Sequence, residues 1–257
     1  MHLKIPPYID KSNVIDAPLD FNWKGSLEHI GPVETVNKMF KLIGYKTTCG
    51  MLTQAAGIIS WGAWRLHKHT NVIPLFQMIE ASYAFQVHPH YVNRDGVAKV
   101  KPPETPPAES AIGRLRSLLR AGLNSNLYWR NYYQPFDSAY HSAYLVRHIM
   151  PRNKKKVFSD WLQEIIARIK EVAPKPDEDP IKDKGDYTPE ELDAYYARHW
   201  GEALPPQILD LDFDYKHENR EELVNEYLNS LNWEDNPFLR SPEQMKGLGF
   251  KGTPYQL

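Results

Sequence analysis

The longest uninterrupted apolar pattern in the chain runs from Thr47 to Val87. Thr47 to Trp64 contains no charged residue, and after a short basic, polar link (Arg65 to Asn71) the stretch Pro74 to Val87 is apolar on nearly every face. Glu80 is the only charged residue in that second stretch. A helix that is apolar all round belongs either inside a helical domain or in a membrane. The first stretch is near the lower length limit for a span and contains Thr47, Thr48, Gln54, Ser60 and three glycines. The second is shorter and carries Glu80, which is costly in lipid. The pattern therefore predicts a central pair of buried helices, Cys49–His67 and Pro74–Val87, with no membrane association.

The surrounding sequence supplies amphipathic partners. Val33, Val36, Met39, Phe40 and Ile43 recur at helical spacing between Pro32 and Gly44. Ile112, Leu115, Leu118 and Leu119 form one face of a further helix, with Arg114, Arg116 and Arg120 largely off it. Gly122 to Tyr133 is ambiguous. Pro135–Met150 carries one stripe of Ala139, Ala143, Val146 and Met150. Val157–Val172 is the clearest amphipath, with Phe158, Trp161, Leu162, Ile165, Ile166 and Ile169 inward. Met1–Gly31 reads as irregular chain anchored by Tyr8, Phe21 and Trp23. Tyr91–Pro107 reads as a loop with a turn at Arg94-Asp95-Gly96.

The composition changes at Ala173. Residues 173–187 are charged and proline-rich, as a linker is. Thr188-Pro-Glu-Glu then sets Thr at N-cap, Pro at N1 and Glu at N3 of a helix ending near Trp200. Leu209 to Tyr215 alternates apolar and acidic residues, which predicts an extended segment docking Leu209, Leu211, Phe213 and Tyr215. Glu218–Leu231 reads as a helix, and 232–257 as Pro/Gly-rich chain with spaced aromatics. The expected fold is all-α: a domain of about six helices over 1–172, a linker over 173–187, and an acidic extension over 188–257 packed on it.

Charge sharpens that division. Residues 1–172 hold 22 Lys and Arg against 13 Asp and Glu, whereas 173–257 hold 9 against 19. A body at +9 and an extension at −10 predict docking of the extension on the basic side between Arg114 and Lys156, with aliphatic and aromatic residues as anchors because exposed ion pairs contribute little. The single cysteine, Cys49, permits no intrachain disulfide, and the N-terminus shows no apolar signal segment. Both fit a cytoplasmic protein.

Candidate chemistry is sparse. No phosphate-cradling glycine loop, nucleophile elbow, or Cys/His or His-Glu-x-x-His zinc pattern occurs, so no cofactor or metal is expected. His67/His69 and His88/His90 end the two central helices; across a hairpin they lie about 20 Å apart and do not form one site. Asp210, Asp212, Asp214, Glu218 and Glu221 match part of a calcium loop, but Tyr215 stands where the turn needs glycine. Glu80, in its apolar helix, requires a partner or a raised pKa, and His141 or His148 on the 135–150 helix, or an arginine, could supply the partner.

Nine basic residues and one acid lie between Ile112 and Lys156, interleaved with aromatics. Arg114, Arg116, Arg120, Arg130, Lys154, Lys155, Lys156 and Trp129, with Trp233 and Phe238 on the extension, are the expected partner-binding residues. The leading expectation is a non-enzymatic binding protein, either a protein–protein adaptor or a bacterial toxin-neutralising, immunity-type protein. A nucleic-acid binder using the basic face 114–156 and a metal-dependent enzyme around Glu80 and the 135–150 histidines are the alternatives.

Overall fold

The computed structural model describes residues 4–30, 42–98, 107–125, 133–177 and 188–250. Ten α-helices occur among them: α1 Pro7–Asp10, α2 Thr48–Leu66, α3 Ile73–Val87, α4 Arg94–Ala98, α5 Pro107–Ser125, α6 Tyr133–Ile149, α7 Lys155–Val172, α8 Pro189–Trp200, α9 Arg220–Ser230 and α10 Pro242–Gly247. The fold is all-α; among the described residues there are two isolated backbone bridges, Lys46 with Pro174 and Val92 with Leu239. None of the described helices is long and apolar enough to cross a membrane.

α2 is the axis. All its residues are buried, which is why its sequence needs no polar face. Thr47 caps it, its side chain accepting from the Gly50 N–H. Four helices surround it, and close approaches fix their directions. Thr53 donates to Gln86 Oε1 (3.1 Å) while Trp64 meets Phe76, so α3 runs antiparallel to α2. Trp61 packs on Phe158, and Gly50 approaches Ile169 and Ala173, so α7 is antiparallel as well. Gly62 faces Leu115 and Val146, and Gly122 faces Leu52 and Ser138. That pairing makes α5 antiparallel and α6 parallel to α2. Gly62 is required for close approach: an added Cβ would lie 2.5 Å from Leu115 Cδ1 and 3.1 Å from Val146 Cγ2.

Two buried cations tie loops to this bundle. The Arg65 guanidinium, fully buried, donates to the carbonyls of Ile149 (3.3 Å), Ala17 (2.7 Å) and Pro18, which pins the N-terminal segment over the ends of α2 and α6. The Lys46 ammonium donates to the carbonyls of Leu42, Ile43 and Gly44. Burial depresses its pKa to about 7, with the charge of Lys170 adding to the effect.

The extension departs from expectation in two ways. First, among the described residues its hydrogen bonds and ring contacts fall away from the expected Arg114–Lys156 face. Many of its described contacts fall on α2, α3 and α7: Trp200 Nε1 donates to Gln86 O, Trp161 Nε1 to Leu209 O, Arg168 to the carbonyls of Ile208, Asp210 and Phe213, and Tyr227 packs on Tyr83; others fall on Lys11 and on Tyr91 to Asn93. Apolar shape, not net charge, selected the face. Gly201, at φ +75°, lets the chain leave α8 beside the Thr47 side chain, where a Cβ would overlap. Second, 209–215 is not extended. A 3-10 turn at Pro206–Leu209 leads into successive turns, because the Asp210 carboxylate accepts from the Asp212 N–H and the Phe213 N–H returns to the Asp210 carbonyl. Leu209 is buried, but Leu211 is exposed.

Smaller differences follow from local capping. The 4–30 segment contains α1 and a 3-10 turn at Leu27–His29, and Arg94–Ala98 is helical rather than a turn. The helix expected at Pro32–Gly44 and the ambiguous Gly122–Tyr133 stretch fall largely outside the described residues. The Thr188 capping box is present as read, with Glu191 accepting from the Thr188 N–H (2.9 Å).

Candidate functional site

A cavity of about 550 Å³ opens where the N-terminal segment, α2, α3 and the extension meet. Each wall has a local cause. Pro6 and Pro7 start α1 and set Tyr8 against Trp161, ring on ring at 5.2 Å. The α2 wall supplies Ser60 and Trp64, and the α3 wall supplies Phe76, Ile79, Glu80 and Tyr83 at helical spacing. Gln207, Leu209, Asp210 and Phe213 come from the turns after α8; Tyr227, Ser230 and Leu231 come from the end of α9. Lys4, Pro7 and Ser230 at the rim are exposed, whereas Trp64, Ile79, Tyr83, Leu209 and Leu231 are buried. The cavity therefore deepens from solvent into the core. Its size falls in the range of small-molecule sites.

Glu80 is the charged residue of the α3 wall. Asn236, itself buried, donates from Nδ2 to Glu80 Oε2 and to the Gln77 carbonyl, both at 2.9 Å. Burial pushes the Glu80 carboxyl up to about 7, although the Asn236 hydrogen bond pulls the other way. Three phenols gather around it. Tyr83 and Tyr227 meet edge to face at 5.1 Å. Burial holds all three of Tyr8, Tyr83 and Tyr227 above the ordinary tyrosine range; Glu80 adds to the effect at Tyr227 and Asp210 at Tyr8. They remain neutral hydrogen-bonding groups at any physiological pH.

The histidines expected beside Glu80 lie elsewhere. His141 Nδ1 donates to the Asp137 carbonyl (3.0 Å) and His148 Nε2 to the Asn22 carbonyl (2.7 Å), with Phe21 and Trp23 around the His148 ring. Each is satisfied by backbone, which is what a polar ring on a helix flank needs. Among the described residues no group of three His, Cys, Asp or Glu side chains is placed to hold a metal ion. The partial calcium pattern is dispersed too: Asp212 pairs with Lys11 and Asp214 with Lys216.

The expected partner-binding residues also scatter. Arg114, Arg116 and Arg120 on α5 are half-buried, with the Nε atoms of Arg114 and Arg116 turned into the protein. Lys154 and Lys155 are half-buried at the start of α7, and Lys156 is exposed and paired with Asp160 at 2.6 Å. Trp129 and Arg130 lie outside the described residues. Trp233 and Phe238 are each only 5% exposed. Trp233 donates to the Leu228 carbonyl (2.9 Å) and packs edge-on against Tyr91 (5.5 Å). Trp233 and Phe238 both belong to the hydrophobic core where the extension packs.

Sequence reasoning singled out Glu80 but not the groups around it. Tyr8, Gln207, Tyr227 and Asn236 come from segments distant in sequence, and no spacing rule joins them. The available signal was indirect: a lone carboxylate in an apolar helix demands a donor, and a buried asparagine in the extension supplies it.

No family model, curated protein or solved structure matches this chain.

Proposed function

We propose that this chain is a binding protein whose ligand is a small molecule with an apolar, ring-sized body, held in the cavity between α2, α3 and the extension. The cavity itself carries the reading: about 550 Å³, walled by Trp64, Phe76, Tyr83 and Tyr227, with a carboxylate set among them. Non-enzymatic binding is the class expected from composition and motif absence. The ligand shifts from a protein to a small molecule because Trp233 and Phe238, the aromatic grips expected for a partner, are buried against the body.

Calorimetric titration of the full-length protein with phenylbutanol tests this reading. Saturable binding is expected, together with its loss in Ser230→Trp, a substitution at the exposed rim that closes the mouth without touching the core. Absence of binding by phenylbutanol and by its charged analogues alike, or equal binding by the occluded variant, would refute it.

A further inference from the structure

We infer that the cavity selects an organic cation: an amine carried on an aromatic or aliphatic body, its ammonium seated against Glu80. This inference rests on the ligand-binding reading and adds the chemistry of the ligand.

The cavity offers a ligand several acceptors beside the donors of its phenols and of Trp64. Ser60 Oγ already donates to the Ala56 carbonyl (2.8 Å) and Ser230 Oγ to the Tyr227 carbonyl (2.7 Å). Each hydroxyl thereby spends its only proton inside the protein and presents lone pairs outward. Gln207 Oε1 is buried in the cavity wall without a hydrogen-bond partner. Asn236 occupies Glu80 Oε2, leaving Oε1 for a ligand. Asp210 adds a second carboxylate to the lining.

The charged and titratable groups facing the site are Glu80, Asp210, Lys4 and the three phenols. Among the described lining residues Lys4 is the one cation, and it sits on the exposed rim, where water screens it. Among the described lining residues no cation stands in the deep wall; Lys11 acts on Asp210 from outside the lining, and the N-terminal amine acts on Glu80 less strongly than burial does. The rings of Trp64, Phe76, Tyr83 and Tyr227 present electron-rich faces that attract a cation further. An anionic ligand would meet two carboxylates, and a neutral one would bring no charge to pair with Glu80.

A protonated amine also resolves the position of Glu80. Near neutral pH its carboxyl is divided between acid and carboxylate. A bound ammonium favours the carboxylate, so binding at about pH 7 releases a fraction of a proton, at most about one half.

Three matched probes test the inference: phenylbutylamine, phenylbutanol and phenylbutyrate, titrated calorimetrically into the full-length protein at about pH 8. A charge-assisted hydrogen bond predicts amine binding about ten- to hundredfold tighter than the alcohol, with the butyrate weakest. In Glu80→Gln the amine-to-alcohol ratio is expected to fall to within about threefold. Should that variant fail to fold, titration of the unmodified protein at about pH 7 in two buffers of different ionisation enthalpy still decides, because amine binding must release protons and alcohol binding must not. Equal affinity of amine and alcohol, a preference for the butyrate, or amine binding without proton release overturns the inference and leaves the ligand-binding reading standing. Failure of all three probes to bind overturns both.

Discussion

Asn236 and Glu80 are 156 positions apart in the chain and joined by a 2.9 Å hydrogen bond, with Asn236 Nδ2 donating to Glu80 Oε2. The same nitrogen donates to the Gln77 carbonyl, so one buried amide fastens the extension to α3 at two points one helical turn apart. The contact also holds the acid that lines the cavity, since it engages one of its two carboxylate oxygens.

Asn236→Ala removes that donor and leaves a part-buried carboxylate and a carbonyl without it. A loss of about 2–3 kcal/mol in urea unfolding is expected. The Glu80 pKa should rise further, because the deleted hydrogen bond favours the charged form. Carboxyl titration by NMR reads the second effect directly.

Two buried ionisable groups give stability opposite pH slopes. Glu80 is raised from 4.5 to about 7, so the folded state holds the extra proton between those values. Its contribution is greatest below about pH 4.5 and is lost as pH rises to about 7, on the order of 2–3 kcal/mol. Lys46 is lowered from 10.5 to about 7, so the unfolded state holds the extra proton there, and stability rises with pH from about 7 to 10.5. Glu80→Gln should flatten the lower limb and Lys46→Met the upper, measured as midpoints of denaturant unfolding across pH.

Gly62→Leu separates packing from helix propensity. Leucine is the better helix former by close to 1 kcal/mol. The space beside Gly62, however, is occupied by Leu115 and Val146. A net destabilisation of about 3 kcal/mol is expected from thermal or urea unfolding.

Leu209→Ala tests the seat of the extension. Leu209 is 2% exposed, lies against Gly57 and Trp161, and forms part of the cavity wall. The substitution is expected to cost about 2–4 kcal/mol and to weaken phenylbutanol binding through the altered wall.

The helical plan was legible because burial leaves a periodic trace. α2 and α3 show it by lacking a polar face; Leu75, Phe76, Ile79, Tyr83 and Ala84 all lie in the core, none more than 8% exposed. The Thr188 cap was readable from four consecutive residues because its hydrogen bonds are local. The docking face of the extension was not legible. Net charge suggested Arg114–Lys156, yet exposed charges are solvated wherever they lie. Leu209, Trp200 and Tyr227 instead found complementary apolar surface on α2, α3 and α7, a property of shape that sequence does not display. The alternation at 209–215 misled for a related reason, since aspartate side chains capped their own backbone into turns. Glu80 stood out on its helix, but its pocket is assembled from four separate segments and becomes visible only once they are folded together.

The most direct measurement of the central claim is a crystal structure of the full-length protein soaked with phenylbutylamine. The account predicts the phenyl ring among Trp64, Phe76, Tyr83 and Tyr227, with the ammonium within hydrogen-bond distance, about 2.8 Å, of Glu80 Oε1. An empty cavity at saturating ligand, or the amine bound with its nitrogen turned away from Glu80, would contradict it.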